Sequence, residues 1–95
     1  MTIRLVVADD HPIILNSLAA LLSQEPEFEV PACCRDGREA FEAVRRQQPD
    51  VAILDSRMEG MSGLEVVRQV RVAKLPTRLV LFTAGLESEY SSLGE

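Results

Sequence analysis

Apolar positions along the chain fall into four short segments of strand character, with stretches of helical periodicity between them. "IRLVVA" (3–8) is nearly unbroken and rich in β-branched residues, the pattern of a strand buried on both faces. Pro12 suits a first helical turn. Ile14, Leu18, Leu21 and Leu22 then recur at helical spacing and predict an amphipathic helix over 12–23, which Pro26 stops. "FEVPACC" (28–34) alternates and reads as a weaker strand, with Pro31 arguing for an edge position. "DGREAFEAVRRQQ" (36–48) predicts a second helix, with Asp36 as candidate N-cap and Ala40, Phe41 and Val44 as its apolar stripe. "VAILD" (51–55) is another fully apolar strand that ends on an acid, and the loop "SRMEGMSG" (56–63) follows it. "LEVVRQVRVA" (64–73) predicts a third helix with Val66, Val67 and Val70 on one face. "RLVLFTA" (78–84) is a fourth strand, and "LESEYSSLGE" (86–95) begins like a further helix.

The order β-α-β-α-β-α-β, with helices of about ten residues, implies an α/β fold: a doubly wound parallel sheet with right-handed crossovers and helices on both faces. Such sheets bind ligands outside the carboxyl ends of their strands. Asp9 and Asp10 end the first predicted strand, Asp55 the third and Thr83 the fourth, so four polar residues converge on one rim.

Composition narrows the class. Ninety-five residues make one small domain, and 46% apolar residues suffice for a core. A net charge of −5 argues against a basic nucleic-acid-binding face. No apolar run approaches the roughly 20 residues of a membrane span, and "MTIRLVV" lacks the features of a signal peptide. The expected location is the cytoplasm. Cys33 and Cys34 are neighbours, which makes them poor disulfide partners, and no second Cys pair or His cluster offers a zinc site.

Three carboxylates at one rim repel each other, so the site calls for a cation or a raised pKa. Hard oxygen donors without a His or Cys cluster favour Mg²⁺. A magnesium–carboxylate site invites phosphate, and a carboxylate can itself attack phosphorus to give an aspartyl phosphate. Thr83 could then hydrogen-bond a phosphoryl oxygen. Against this stands the plain reading of a strand-ending Asp as a turn or cap residue, which weakens when all four residues share a rim. His11 reads as a helix-start residue before Pro12, with metal ligation as the alternative. Ser56 and Ser62 read as loop residues. Arg57 reads as a solvated side chain whose backbone carbonyl lies close enough to Asp55 to reach a metal.

"VVADDHP", "PDVAILDSRMEGMSGLEVV" and "LVLFTA", in this order and spacing, resemble a response-regulator receiver domain of bacterial two-component signalling, of the LuxR/FixJ type. The resemblance runs from about Ile3 to Tyr90. It implies a flavodoxin-like fold with strand order 2-1-3-4-5. It further implies Asp55 as the phospho-acceptor from a sensor histidine kinase, with Mg²⁺ held by Asp10, Asp55 and the Arg57 carbonyl. Asp9 would act through a metal-bound water, and Thr83 would contact the phosphoryl group. In the full-length protein the output would be transcription, without direct nucleic-acid binding by this fragment and without a membrane segment.

Three departures from the family pattern stand out. The loop usually reads Met-Pro-Gly-Met-Asp-Gly, whereas "MEGMSG" carries Glu59 and Ser62, and Glu59 adds a negative charge near the acids. The family lysine follows a fifth strand, and Lys74, the only lysine, matches no such position. The third departure follows from the second: the chain reads as a receiver domain over 1–95, strand order 2-1-3-4, lacking the fifth strand, the last helix and any output domain. Two expectations follow: self-association through the strand-four edge, and Mg²⁺ binding with slow or absent phosphorylation by a small donor. The rival readings are an interaction-only receiver fragment that is never phosphorylated, and a haloacid-dehalogenase-like phosphatase. The latter places a second acid where this chain has Arg57. The expected domain is thus no enzyme beyond catalysing its own phosphorylation.

Overall fold

Four parallel strands, β1 (Ile3–Ala8), β2 (Phe28–Cys34), β3 (Val51–Asp55) and β4 (Arg78–Phe82), form one sheet in the order β2-β1-β3-β4. They are joined by α1 (Pro12–Ser23), α2 (Gly37–Gln47) and α3 (Gly63–Val72). The structure, a computed structural model, describes residues 2–82. This is the doubly wound parallel sheet that the alternation of strands and helices implied, in the 2-1-3-4 order that the resemblance implied for a flavodoxin-like fold. Residues 83–95, which hold Thr83, Tyr90 and the end of the fourth predicted strand, lie outside the described residues.

β1 lies between β2 and β3, and Leu5 to Ala8 are buried, which is why its sequence is apolar on both faces. Alternation sends Val6, Ala8, Ala52, Leu54 and Cys34 to one face, where they pack with Ala40 and Val44 of α2 and Val66 and Val70 of α3. Each large side chain fully buried there contributes about 1.5–3 kcal/mol of apolar transfer.

β2 is at a sheet edge, as Pro31 required. Its register carries the mark of that proline. Arg4 pairs with Glu29 but Val6 with Ala32, so β2 holds one extra residue across Pro31. Proline has no N–H to give to the ladder, and the slip absorbs the missing bond.

The opposite face is covered by α1, which packs on β1 and β2. Here the predicted stripe needs correction. Leu15 is the buried residue of α1, while Leu21 is 63% exposed and Ile13 80% exposed. Ile14, Leu18 and Leu21 instead line an open apolar groove with Ile53 and Phe82. The helix lies over β1 and β2, so one flank of its stripe looks across β3 and β4, where no described residue closes over it.

Capping explains where the other helices begin. Asp36 accepts a hydrogen bond from the Glu39 N–H at 2.8 Å, and Glu39 accepts one from the Arg35 N–H at 2.9 Å. Ser62 Oγ accepts from the Glu65 N–H at 3.1 Å. Gln48 closes α2 in the left-handed region, with φ 46°. Cys33 is exposed and Cys34 buried, both unbridged, and burial pushes the Cys34 thiol up to about 12.

Candidate metal and phosphoryl site

The carboxyl ends of β1 and β3 bring their acids to one place because parallel pairing holds them in register, Ala8 opposite Leu54. The Asp9 N–H donates to the Cys34 carbonyl at 3.0 Å and the Ser56 N–H to the Phe82 carbonyl at 2.8 Å. These bonds fix the backbone on either side of the site. Ligand atoms of Asp9, Asp10, His11 and Asp55 all lie within 4.8 Å of one another.

Burial makes the cluster costly. Asp9 is 0% and Asp55 2% exposed. Burial pushes the Asp55 carboxyl above its ordinary range; the Arg57 N–H, donating to its Oδ1 at 3.2 Å, pulls it back, and the Asp9 and Asp10 charges add to the rise. Asp9 Oδ1 accepts from the His11 backbone N–H at 2.8 Å, an Asx-turn that starts α1. The same oxygen lies 2.8 Å from His11 Nδ1. That ring nitrogen is also 3.1 Å from Asp10 Oδ1 and 3.8 Å from Asp55 Oδ2. The hydrogen bond to Asp9, with the neighbouring carboxylate charges, holds the His11 pKa above its usual value. Asp9 Oδ2 and Asp10 Oδ1 are buried without a hydrogen-bond partner.

Buried acceptor oxygens without donors are what a hard divalent cation satisfies. The donor set fits Mg²⁺: carboxylate oxygens from two strand ends, with Asp10 on the open side at 32% side-chain exposure.

The structure thus brings Asp9, Asp10 and Asp55 together as expected and sets Arg57 beside them through its N–H. Thr83 lies outside the described residues. Lys74 follows α3 at the opposite end of the sheet, away from the acids, in the left-handed region with φ 59°. Glu59 lines a surface notch with Asp36, Arg38, Gly60 and Met61. His11 is a helix-start residue, as read, but its side chain makes no capping bond and turns instead into the acids. The readable signal for this was Asp9 two residues before the helix start, an Asx-turn spacing that folds the ring back.

Comparison with known proteins agrees with the geometry. Residues 5–92 match the family described as the response regulator receiver domain. The chain is 42% identical over 82 residues to the transcriptional regulatory protein NarL of Mycobacterium tuberculosis (strain H37Rv), covering 86% of this chain and 38% of that protein. It is 37% identical over 87 residues to a protein-glutamate methylesterase/protein-glutamine glutaminase of Nitratidesulfovibrio vulgaris, covering 92% of this chain and 23% of that one. The chain therefore spans well under half the length of these relatives. Among solved structures, the signal receiver domain of NarL from Mycobacterium tuberculosis superposes with a TM-score of 0.87 at 39% identity, over 98% of this chain and 77% of that one.

Proposed function

The chain belongs to the response-regulator receiver domain family, and from that premise we propose that Asp55 accepts a phosphoryl group from a sensor histidine kinase, beside Mg²⁺. The observation that carries this reading is the meeting of Asp9, Asp10 and Asp55 at one rim with buried, unpartnered oxygens. Asp10, Asp55 and the Arg57 carbonyl would hold the cation, with Asp9 acting through a bound water. When bound, the cation offsets the carboxylate charges and that of the incoming phosphoryl group.

The chain's own residues do the rest. The Arg57 N–H orients the Asp55 carboxylate. An Asp55 oxygen attacks phosphorus; the new O–P bond forms as the N–P bond of the donor phosphohistidine breaks, and the freed imidazole takes up a proton. Thr83 is proposed to hydrogen-bond the transferred group. Receiver domains are generally not enzymes, and this one is assigned no turnover beyond its own phosphorylation. The kinase donor implies a cytoplasmic domain, and no helix among the described residues is long and apolar enough to cross a membrane.

The test is incubation with a small acyl phosphate, with and without MgCl₂, followed by mass mapping. The expected adduct sits on Asp55 and requires Mg²⁺. An adduct at another residue, or one indifferent to Mg²⁺, contradicts the assignment. The rival, an interaction-only receiver, predicts no adduct and kinase binding unchanged by Asp55→Asn.

Self-association belongs to the same reading. Val80 and Leu81 of β4 are 47% and 40% exposed, and Phe82 of the same strand lines the apolar groove along α1. A strand presenting such surface pairs readily with a second copy. Sedimentation should therefore give a mass above the monomer that falls on dilution, and a monomer at all concentrations would refute pairing.

A further inference from the structure

His11 is unused in the reading above, yet its ring nitrogen stands among the acids. Nδ1 lies 2.8 Å from Asp9 Oδ1, 3.1 Å from Asp10 Oδ1 and 3.8 Å from Asp55 Oδ2. An octahedral ion with ligand bonds of about 2.1 Å sets neighbouring ligand atoms about 3.0 Å apart and opposite ones about 4.2 Å apart. Of the direct carboxylate ligands, Asp10 lies at the spacing of a neighbouring vertex and Asp55 between the two classes, while Asp9, which acts through a bound water, takes no vertex.

A second observation points to a ligand. Asp9 is wholly buried, and its Oδ2 has no hydrogen-bond partner although Oδ1 of the same carboxylate accepts from the His11 backbone. The Asx-turn at Asp9 and the fixed φ of Pro12 hold the His11 backbone on the rim. The ring is therefore presented from a defined start, and its 61% side-chain exposure leaves room to adjust.

We propose that His11 is a further protein ligand of the cation, through Nδ1, and that it shifts the site's preference toward divalent ions that accept nitrogen. This rests on the metal site proposed above. Carboxylates alone suit Mg²⁺, whereas an imidazole favours Mn²⁺, Co²⁺ and Ni²⁺ progressively more. The site then takes a mixed oxygen and nitrogen set in which His11 determines selectivity without touching the phosphoryl group.

The experiment uses the metals alone. Calorimetry with MgCl₂ and with CoCl₂ is run on the wild-type chain, His11→Ala and His11→Asn, with circular dichroism to confirm folding. Pulsed electron paramagnetic resonance of the Mn²⁺-loaded wild type looks for nitrogen coupling. The expected result is a Co²⁺ affinity lowered about tenfold or more in both variants, an Mg²⁺ affinity changed far less, and nitrogen coupling in the wild type. Equal loss for both ions, tighter Mg²⁺ binding in the variants, or no nitrogen coupling overturns the role of His11 while leaving the carboxylate site intact. Failure of every ion to bind wild type overturns the metal site itself, and the inference with it. The Mn²⁺ spectrum decides the matter on wild-type protein even if a variant does not fold.

Discussion

Gly63→Val should cost about 3 kcal/mol or more of unfolding free energy and weaken Mg²⁺ binding in whatever folded protein remains. A Cβ at Gly63 would sit 2.4 Å from the Asp55 carbonyl oxygen, 2.7 Å from Leu81 Cδ2 and 3.0 Å from Ser56 Cα. Two of those three atoms are backbone, so no rotamer change relieves the clash. The Gly63 N–H also donates to the Ser56 carbonyl at 3.2 Å, tying the start of α3 to the end of β3. Relief requires α3 to move off the sheet, and the Asp55 carboxylate is carried on the peptide it would push. Urea denaturation reads the loss. Gly60→Ala serves as the contrast. Gly60 has φ +82° but open space around its Cβ position, so its cost is confined to the backbone, about 1–2 kcal/mol. A Gly63→Val midpoint no lower than that of Gly60→Ala would show that the close approach is not there.

Asp55→Asn should make the metal-free chain more stable at neutral pH, by about 1–3 kcal/mol. The sign follows from the raised pKa. The folded Asp55 carboxyl holds its proton above the range of the unfolded chain. Its contribution is therefore present below the unfolded carboxylate pKa and is lost as pH rises through the folded value, leaving a penalty at neutral pH. Asparagine removes the charge and can donate to the oxygens around it.

His11 works in the same direction. Its pKa is raised from 6.5, so its contribution is present below that pH and is lost as pH rises through the folded value. The metal-free wild type should thus melt at progressively higher temperature as pH falls from mildly alkaline through 6.5 toward the raised carboxyl range of Asp55. The Asn variant should show a shallower climb. Saturating Mg²⁺ should stabilise the wild type at neutral pH and leave the variant nearly unmoved. Thermal melts across pH, with and without the ion, test this. A lower melting temperature for metal-free Asp55→Asn at pH 7 would refute it.

Much of this was legible because a parallel sheet writes its topology into the chain. β1 is covered on both faces and β3 on one, with Ile53 lining the apolar groove on the other, so both appear as unbroken apolar runs, and their terminal acids then lie at one rim. Pro31 announced the edge position of β2, though not the one-residue slip by which the ladder accommodates it. The stripe of α1 was visible as periodicity, but periodicity does not say how far the helix overlies the sheet. That is why Leu15 proved to be buried and Leu21 exposed. Helical spacing likewise could not aim the His11 ring, which depends on the Asp9 turn. Met58, inside a loop by its sequence, is 8% exposed because it reaches the α2–α3 side of the sheet, a tertiary outcome without local pattern.

The β3–α3 loop is pinned at three points: Met58 in the core, Met61 against Gly37, whose absent side chain makes the space, and Gly63 against Asp55. Only Glu59 and Gly60 stand between the first two pins. The departures from the family pattern in this loop fall at Glu59, within that free span, and at Ser62, where serine caps α3 as an aspartate would. Both departures fall at positions outside the three pins. The span of Glu59 and Gly60 can thus change its surface chemistry while the backbone beside Asp55 stays where the pins hold it.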